Sequence, residues 1–270
     1  MLRRALTIAG SDSGGGAGIQ ADLKTFHNFG VYGASALAAL TAQNTLGVQG
    51  VWAVPPEFLE LQIRSVLSDI GADAIKTGML FNAPLISAAA RVLCEYPDIP
   101  LVIDPVMVAK GGSRLLLDEA IVALKKELLP RAIVVTPNID EANVLTGNII
   151  HNEEDMRRSA EQILRMGAQS VLIKGGHLIE SSALDIFYDG KSWERLESPR
   201  IETRHTHGTG CTMSAAITAC LAKGCSLIES IKLAKDYITE AIRGAQPIGQ
   251  GIAPVNHLSP VLSSHRGSLI

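Results

Sequence analysis

Short, nearly continuous apolar runs alternate with amphipathic stretches along most of the chain. Leu6–Ala9, Ala72–Ile75, Leu101–Ile103, Ala132–Val135 and Ser170–Ile173 have strand length, and a further strand is predicted near Tyr32–Leu40. Runs with so little polar alternation mark parallel strands covered on both faces. Between them, Ile19, Leu23 and Phe26 line one face of a helix that Gly30 can terminate. Leu59, Ile63, Val66, Leu67 and Ile70 do the same for a helix beginning after Pro56, and a third helix is predicted from about Glu153 to Gly167. At 183–198 the rhythm changes: Asp189-Gly190 separates Leu184–Tyr188 from Trp193–Leu196, which predicts an antiparallel hairpin. The stretch Cys211 to Lys223 is apolar almost all round, as in a buried helix, with Gly224 as its stop, and Ser226-Leu227-Ile228-Glu229 opens the next helix with a capping box. The pattern predicts one α/β domain over residues 1–258, doubly wound on a mostly parallel sheet with helices on both faces, and a loosely specified tail at 259–270.

Composition narrows the function classes. Apolar residues make up 47% of the 270, enough for a large core. A net charge of -3 and the absence of any Lys/Arg-rich run argue against a nucleic-acid partner, and Arg157-Arg158, the densest basic cluster, falls in a helical pattern. Residues 28–56 carry no charge, but Gln43, Asn44, Gln49 and several glycines interrupt them, so a buried strand with its loops is expected there and no membrane span. Leu2-Arg3-Arg4 leads directly into a strand without the long apolar core of a signal peptide. Cys94, Cys211, Cys220 and Cys225 form no CxxC pair, so reduced thiols in a cytoplasmic protein are expected.

In open parallel sheets, ligands bind beyond the carboxyl ends of the strands. Those ends here deliver Gly10–Gly18, Lys76-Thr77-Gly78-Met79, Asp104-Pro105, Thr136-Pro137-Asn138 with Glu141 one turn on, and Lys174-Gly175-Gly176-His177. One edge thus gathers carboxylates, an amide, lysines and glycine loops, although Asn138 read alone is equally a helix cap. The first glycine loop fails the dinucleotide fingerprint, because the third glycine of G-x-G-x-x-G would fall at Ile19, and no Gly-Lys-Ser/Thr makes it a P-loop. Its glycines suit close packing of backbone against a flat ligand. The second loop, His205–Cys211, opens the buried apolar helix, whose amino end favours an anion. Gly208 and Gly210 let a phosphate approach the amides there, and the same end effect is expected to lower the Cys211 pKa. His205 and His207 have no third ligand within sequence reach and make a poor zinc site, whereas Asp, Glu and Asn at strand ends suit a magnesium ion.

Seven segments carry a resemblance: A-G-S-D-S-G-G-G-A-G-I-Q-A-D-L-K-T at Ala9–Thr25, T-A-Q-N-T at Thr41–Thr45, K-T-G-M at Lys76–Met79, D-P-V-M-V-A-K-G-G at Asp104–Gly112, T-P-N-x-x-E-A at Thr136–Ala142, I-K-G-G-H at Ile173–His177 and H-T-H-G-T-G-C-T at His205–Thr212. With these, from Ala5 to about His257, the chain resembles the ribokinase-like superfamily. Within it, the chain resembles the hydroxymethylpyrimidine/phosphomethylpyrimidine kinases of thiamine biosynthesis. The resemblance implies phosphorylation of 4-amino-5-hydroxymethyl-2-methylpyrimidine by ATP with Mg2+, then of the monophosphate to the diphosphate, in a cytoplasmic homodimer. By motif, Gly208, Thr209 and Gly210 form an anion hole and Cys211 stands where the superfamily has an aspartate base. Asp104 and Glu141 organise the metal, and Asn138 and Lys174 meet the ATP phosphates. Gln43 bonds the aminopyrimidine edge, while Gly10, Ala17, Asp22, Met79 and Val106 line the ring pocket. Lys110, in the Gly-flanked segment Val108–Gly112, is a candidate mobile cation for the added phosphate of the second substrate.

Three other readings remain. Similar pyridoxal kinases commonly carry cysteine where this chain has Ala109 and methionine in place of Gln43, so both positions favour the aminopyrimidine. A nucleotide-binding sensor without catalysis is disfavoured by the intact set of carboxylates, anion loop and candidate base. An NAD-dependent oxidoreductase is weakened by the failed fingerprint.

Overall fold

The computed structural model describes residues 2–107, 118–176 and 182–261. In chain order the elements are β1 (Arg4–Ala9), α1 (Gly18–Asn28), β2 (Tyr32–Leu37), β3 (Ala39–Asn44), β4 (Gly47–Ala53), α2 (Pro56–Asp69), β5 (Ala74–Thr77), α3 (Ala83–Leu93) and β6 (Leu101–Ile103). There follow α4 (Asp118–Ala123), running on in irregular helical turns to Arg131, then β7 (Val134–Val135), α5 (Ile139–Thr146), α6 (Glu153–Arg165), β8 (Val171–Lys174), β9 (Ser182–Tyr188), β10 (Trp193–Pro199), α7 (Thr209–Ala222) and α8 (Leu227–Arg243).

Eight strands form one sheet in the order β10-β9-β8-β7-β6-β5-β1-β2. The six from β2 to β8 are parallel, and the β9–β10 hairpin adds two antiparallel strands at the far edge. Period-two alternation sends Leu6, Ile8, Ile75, Ile103, Val135 and Ile173 to one face, under α2 to α6. Ala5, Ala74, Val102, Val134, Leu172 and Phe187 go to the other face, under α1, α7 and α8. Both faces are therefore dry, which is why the strands read as unbroken apolar runs. After β2 the chain crosses to the other side of β1, so a switch point opens between the carboxyl ends of β1 and β5.

Three local differences from the sequence expectation have simple causes. The strand expected near Tyr32–Leu40 divides at Ala38, and the uncharged segment beyond it is not a buried strand with loops. It forms an antiparallel β3–β4 ribbon, separate from the main sheet, with Leu40, Leu46 and Trp52 exposed. The strand expected at Ala72–Ile75 lies two residues later, because Lys76 and Thr77 are polar yet fully enclosed and continue the ladder to β6. Finally, the first residue of the expected loose tail, Ser259, is held: its carbonyl accepts from Asn28 Nδ2 (2.8 Å), just beyond Asn256, whose N–H donates to the Ala241 carbonyl (2.9 Å), and His257, whose carbonyl accepts from Tyr237 Oη (2.8 Å). Lys110 and His177 lie outside the described residues, as does the chain beyond Val261.

The buried Tyr237 hydroxyl is the fastener of that last segment. Tyr237→Phe leaves a buried carbonyl unmet and is expected to lower stability by about 1–2 kcal/mol. Urea denaturation should read this as a shifted midpoint with an unchanged slope.

Candidate active site

Two glycine loops meet at the switch point, and one buried carboxylate ties them together. After β1 the chain turns so that Asp12 accepts hydrogen bonds from the backbone N–H groups of Gly14 (2.8 Å), Gly16 (3.1 Å) and Ala17 (2.8 Å). From the other loop, His207 Nε2 lies 2.8 Å from Asp12 Oδ2, a separation that makes this nitrogen the donor. Burial works against the Asp12 charge, but the His207 bond and the backbone donors hold its carboxyl below the usual range. Gly208 follows with φ 79°, and a Cβ there would stand 1.9 Å from the Gly16 carbonyl oxygen. Only glycine fits this contact. It sets the amino end of α7, whose first amides lack intrahelical acceptors, against the first loop.

Behind that helix end lies a group of charges on the ends of β6, β7 and β8. Lys174 Nζ is 3.1 Å from Asp104 Oδ1, and Ser214 Oγ on the second turn of α7 donates to Asp104 Oδ2 (3.2 Å). Asn138 caps α5: its side chain accepts from the Glu141 N–H (2.9 Å), and Glu141 Oε2 accepts from the Asn138 N–H (2.8 Å). The alternative reading of Asn138 as a helix cap is thus what the resting structure shows. Burial pushes Glu141 up to about 7, with Asp104 adding to it and Lys174 and the N–H groups of Asn138 and Met107 opposing it. Two buried carboxylates repelling one another beside a single lysine suit a divalent cation. Among the described residues no group of three or more His, Cys, Asp or Glu could hold a metal, so such an ion would take much of its shell from water and substrate oxygens, as magnesium does.

The cavity at the switch point is lined by Gly10, Ala17, Gln43, Met79, Val106 and Cys211 together with Gly208, Thr209 and Gly210. The β3–β4 ribbon forms its outer wall, tied down by reciprocal Ser13–Gln43 hydrogen bonds of 2.8 Å each and by Thr41 Oγ1 donating to the Ser11 carbonyl (2.9 Å). Asp22 is not part of this lining. It is enclosed behind the lining, accepting from Lys76 Nζ at 2.7 and 2.8 Å and from Thr7 Oγ1 at 2.6 Å. Burial opposes the Lys76 charge, yet Asp22, Cys211 and Asp104 raise its pKa above the ordinary value. The lysine thus supplies a fixed positive charge in the cavity floor. The sequence pattern gives Asp12 and Lys76 no site role and His207 only that of a poor zinc ligand. Their only signal was position within the glycine loops and at a strand end.

Cys211 departs from expectation. Burial pushes its thiol up to about 12, with Asp104 and Asp22 adding to the shift and Lys76 and the Gly18 N–H opposing it. Desolvation outweighs the helix end that was expected to favour thiolate. A second cavity adjoins the first and shares Asn138, Lys174, Thr209 and Gly210 with it, extending past Met213 to Ile242. Iodoacetamide at neutral pH should therefore label exposed Cys94 and leave Cys211 unmodified in the same sample. Peptide mass spectrometry would read both sites, and prompt Cys211 labelling would contradict the protonated thiol.

Comparison with known proteins gives the family. A family model described as phosphomethylpyrimidine kinase matches residues 12–256. The chain is 50% identical over 259 residues to the hydroxymethylpyrimidine/phosphomethylpyrimidine kinase of Bacillus subtilis, covering 96% of each chain. It is 56% identical over 253 residues to the thiamine biosynthesis bifunctional protein ThiED of Geobacter sulfurreducens, covering 94% of this chain and 52%, about half, of that longer protein. Among solved structures, an ADP complex of Bacillus subtilis pyridoxal kinase superposes with a TM-score of 0.90 at 44% identity, covering 96% of this chain and 98% of the other. The matched residues include most of the first glycine loop, all of the second, Asp104, Glu141, Lys174 and α7, and the chain belongs to the phosphomethylpyrimidine kinase family.

Proposed function

We propose that this protein phosphorylates 4-amino-5-hydroxymethyl-2-methylpyrimidine with ATP and then phosphorylates the monophosphate to the diphosphate, supplying thiamine diphosphate synthesis. The observation that carries this reading is the junction of the two cavities. Asn138, Lys174, Thr209 and Gly210 line both, so a phosphoryl group at the amino end of α7 faces a ring in one cavity and a nucleotide in the other. In-line transfer needs that arrangement, and the helix end with Lys174 supplies donors for the charge on the transferring oxygens.

The individual roles are those that the motif resemblance implies. Gly208, Thr209 and Gly210 form the anion hole. Asp104 and Glu141 hold a magnesium ion, which when bound would neutralise phosphate charge. Lys174 and Asn138 contact phosphate oxygens, the latter at the cost of its capping bond. Gln43 reaches the cavity from the β3–β4 ribbon, where its amide can meet the amino and ring-nitrogen edge of the pyrimidine. Gly10, Ala17, Met79 and Val106 leave a flat slot for the ring, with Asp22 acting behind it through Lys76. Lys110 is retained as the candidate cation for the second substrate's phosphate. The exposed Leu40, Leu46 and Trp52 of the ribbon form the surface through which two copies pair, and sedimentation should return about twice the 28.6 kDa chain mass. A side activity on pyridoxal is the second reading. It is supported by the likeness to the Bacillus subtilis pyridoxal kinase and by the shared shape of a flat ring with a hydroxymethyl arm.

A protonated thiol accepts no proton, so Cys211 can take the alcohol proton only through the small fraction present as thiolate. In a loose transition state the alcohol proton departs late, so little base strength is required. The second acceptor is already an ionised phosphate and needs no base. Cys211→Ala should therefore slow the first phosphorylation by between about tenfold and a hundredfold and the second much less. Coupled ADP assays with the aminopyrimidine, its monophosphate and pyridoxal as acceptors test this together with the reading itself. Equal losses on the first two acceptors would remove Cys211 from proton transfer, and wild-type turnover of pyridoxal alone would replace the proposed substrate.

A further inference from the structure

Two aspartates and two lysines lie close together on the α7/α8 side of the sheet, and they pair in an order that the strand register would not choose. Lys174 on β8 lies directly opposite Asp185 on β9. Cross-strand partners stand on the same face, so Asp185 is the acid the ladder offers to Lys174. Lys174 instead turns to Asp104, 3.1 Å away. Asp185 is satisfied from elsewhere: Oδ1 accepts from the Gly175 N–H (3.0 Å), and Oδ2 accepts from Lys235 Nζ on α8 (2.7 Å), which also donates to the Ala183 carbonyl (3.0 Å). Asp185 and Lys235 are both buried. The turn after Lys174 is tight, since a Cβ at Gly175 would stand 2.2 Å from the Leu184 carbonyl oxygen, so the Asp185 bond fixes the backbone at the point where Lys174 leaves the sheet.

We propose that Lys235 is a positioning residue for phosphoryl transfer: by neutralising Asp185 it keeps Lys174 directed at Asp104 and the anion loop. The inference rests on the kinase reading above; because Lys235 and Asp185 also line the second cavity, recovery in the double variant and the position of Lys174 distinguish positioning from direct contact with the nucleotide. A buried carboxylate that loses its cation draws in another, because an unpaired buried charge is far costlier than a paired one. Lys174, already opposite in the ladder, is the cation within reach by register. Its departure would leave Asp104 and Glu141 facing one another without the ammonium and would strip a positive charge from the anion site.

The test is a charge-compensation series on the full chain. Lys235→Met should lower kcat with the aminopyrimidine by at least about tenfold and weaken ADP binding, measured by calorimetry without divalent metal. Adding Asp185→Asn keeps an acceptor for Gly175 but removes the charge that captures Lys174, so the double variant should recover most of both losses. A crystal structure of the single variant should place Lys174 Nζ on Asp185. If K235M does not fold, Lys235→Gln replaces it, because glutamine donates to Asp185 without neutralising it and must show the same loss and the same recovery. A double variant as impaired as the single, or Lys174 still bonded to Asp104 in the single, overturns the proposal. Absence of wild-type ADP formation would instead defeat the kinase reading, and the position of Lys174 in the variant structure would still decide the inference.

Discussion

The site depends on one steric contact, the Gly208 backbone lying against the Gly16 carbonyl oxygen. No side chain can be inserted there, since a Cβ at 1.9 Å from an oxygen is a collision. The contact brings two strand-to-helix turns, 192 positions apart in sequence (208 minus 16), into register at the switch point of the sheet. Asp12 then locks them, accepting from three amides of its own loop and from the imidazole of the other. A carboxylate so fully supplied with donors is ionised and immobile. The switch-point cavity and the amino end of α7 are thus parts of one rigid object. Preorganisation of this sort lets a helix end stabilise developing charge without reorganising during reaction.

Around that object, burial of charge is used for direction more than for stability. Three Asp–Lys pairs occupy the same side of the sheet: Asp22–Lys76, Asp104–Lys174 and Asp185–Lys235. Replacing such pairs with apolar residues is often neutral or stabilising, so their retention needs another account. Each fixes a positive charge at a definite depth: Lys76 in the floor of the ring cavity, Lys174 at the junction of the cavities, and Lys235 beside the turn that follows Lys174. The apolar helix α7 and the buried face of α8 cover much of this side and lower the screening of these charges, although Lys174, Asp185 and Lys235 also line the second cavity.

What was legible in the sequence follows from the same physics. Strands buried on both faces announce themselves as apolar runs, and the residues after their carboxyl ends, Asp104, Asn138 and Lys174, fall on one edge by topology alone. The Asp189-Gly190 hairpin and the Ser226–Glu229 capping box are local devices and were read directly. The β3–β4 ribbon was misread because its turn at Thr45-Leu46 carries no strong hairpin signal and its apolar residues point outward. Lys76 was taken for a residue beyond its strand because a lysine inside a ladder is unexpected until Asp22, 54 residues away, is seen to neutralise it. Asp22 itself belongs to a motif that pointed to the ring pocket, but α1 turns it inward. Such pairings depend on tertiary approach, which no window of sequence contains.

The misjudged Cys211 pKa shows where local reasoning stops. A helix amino end favours an anion by a modest amount that falls off within a turn, whereas enclosing a thiol among carboxylates disfavours its charge by several times as much. The sequence displays the first effect and conceals the second. In the proposed reaction, the charge that must be stabilised belongs to the transferring phosphoryl group, and the resting site already places its cations and amides for that group. A protonated thiol beside them adds no competing negative charge to a region that must accept several phosphate oxygens. An aspartate there would. On the proposed reading, an uncharged cysteine at position 211 thus leaves the amino end of α7 free of a competing negative charge but without a readily available base.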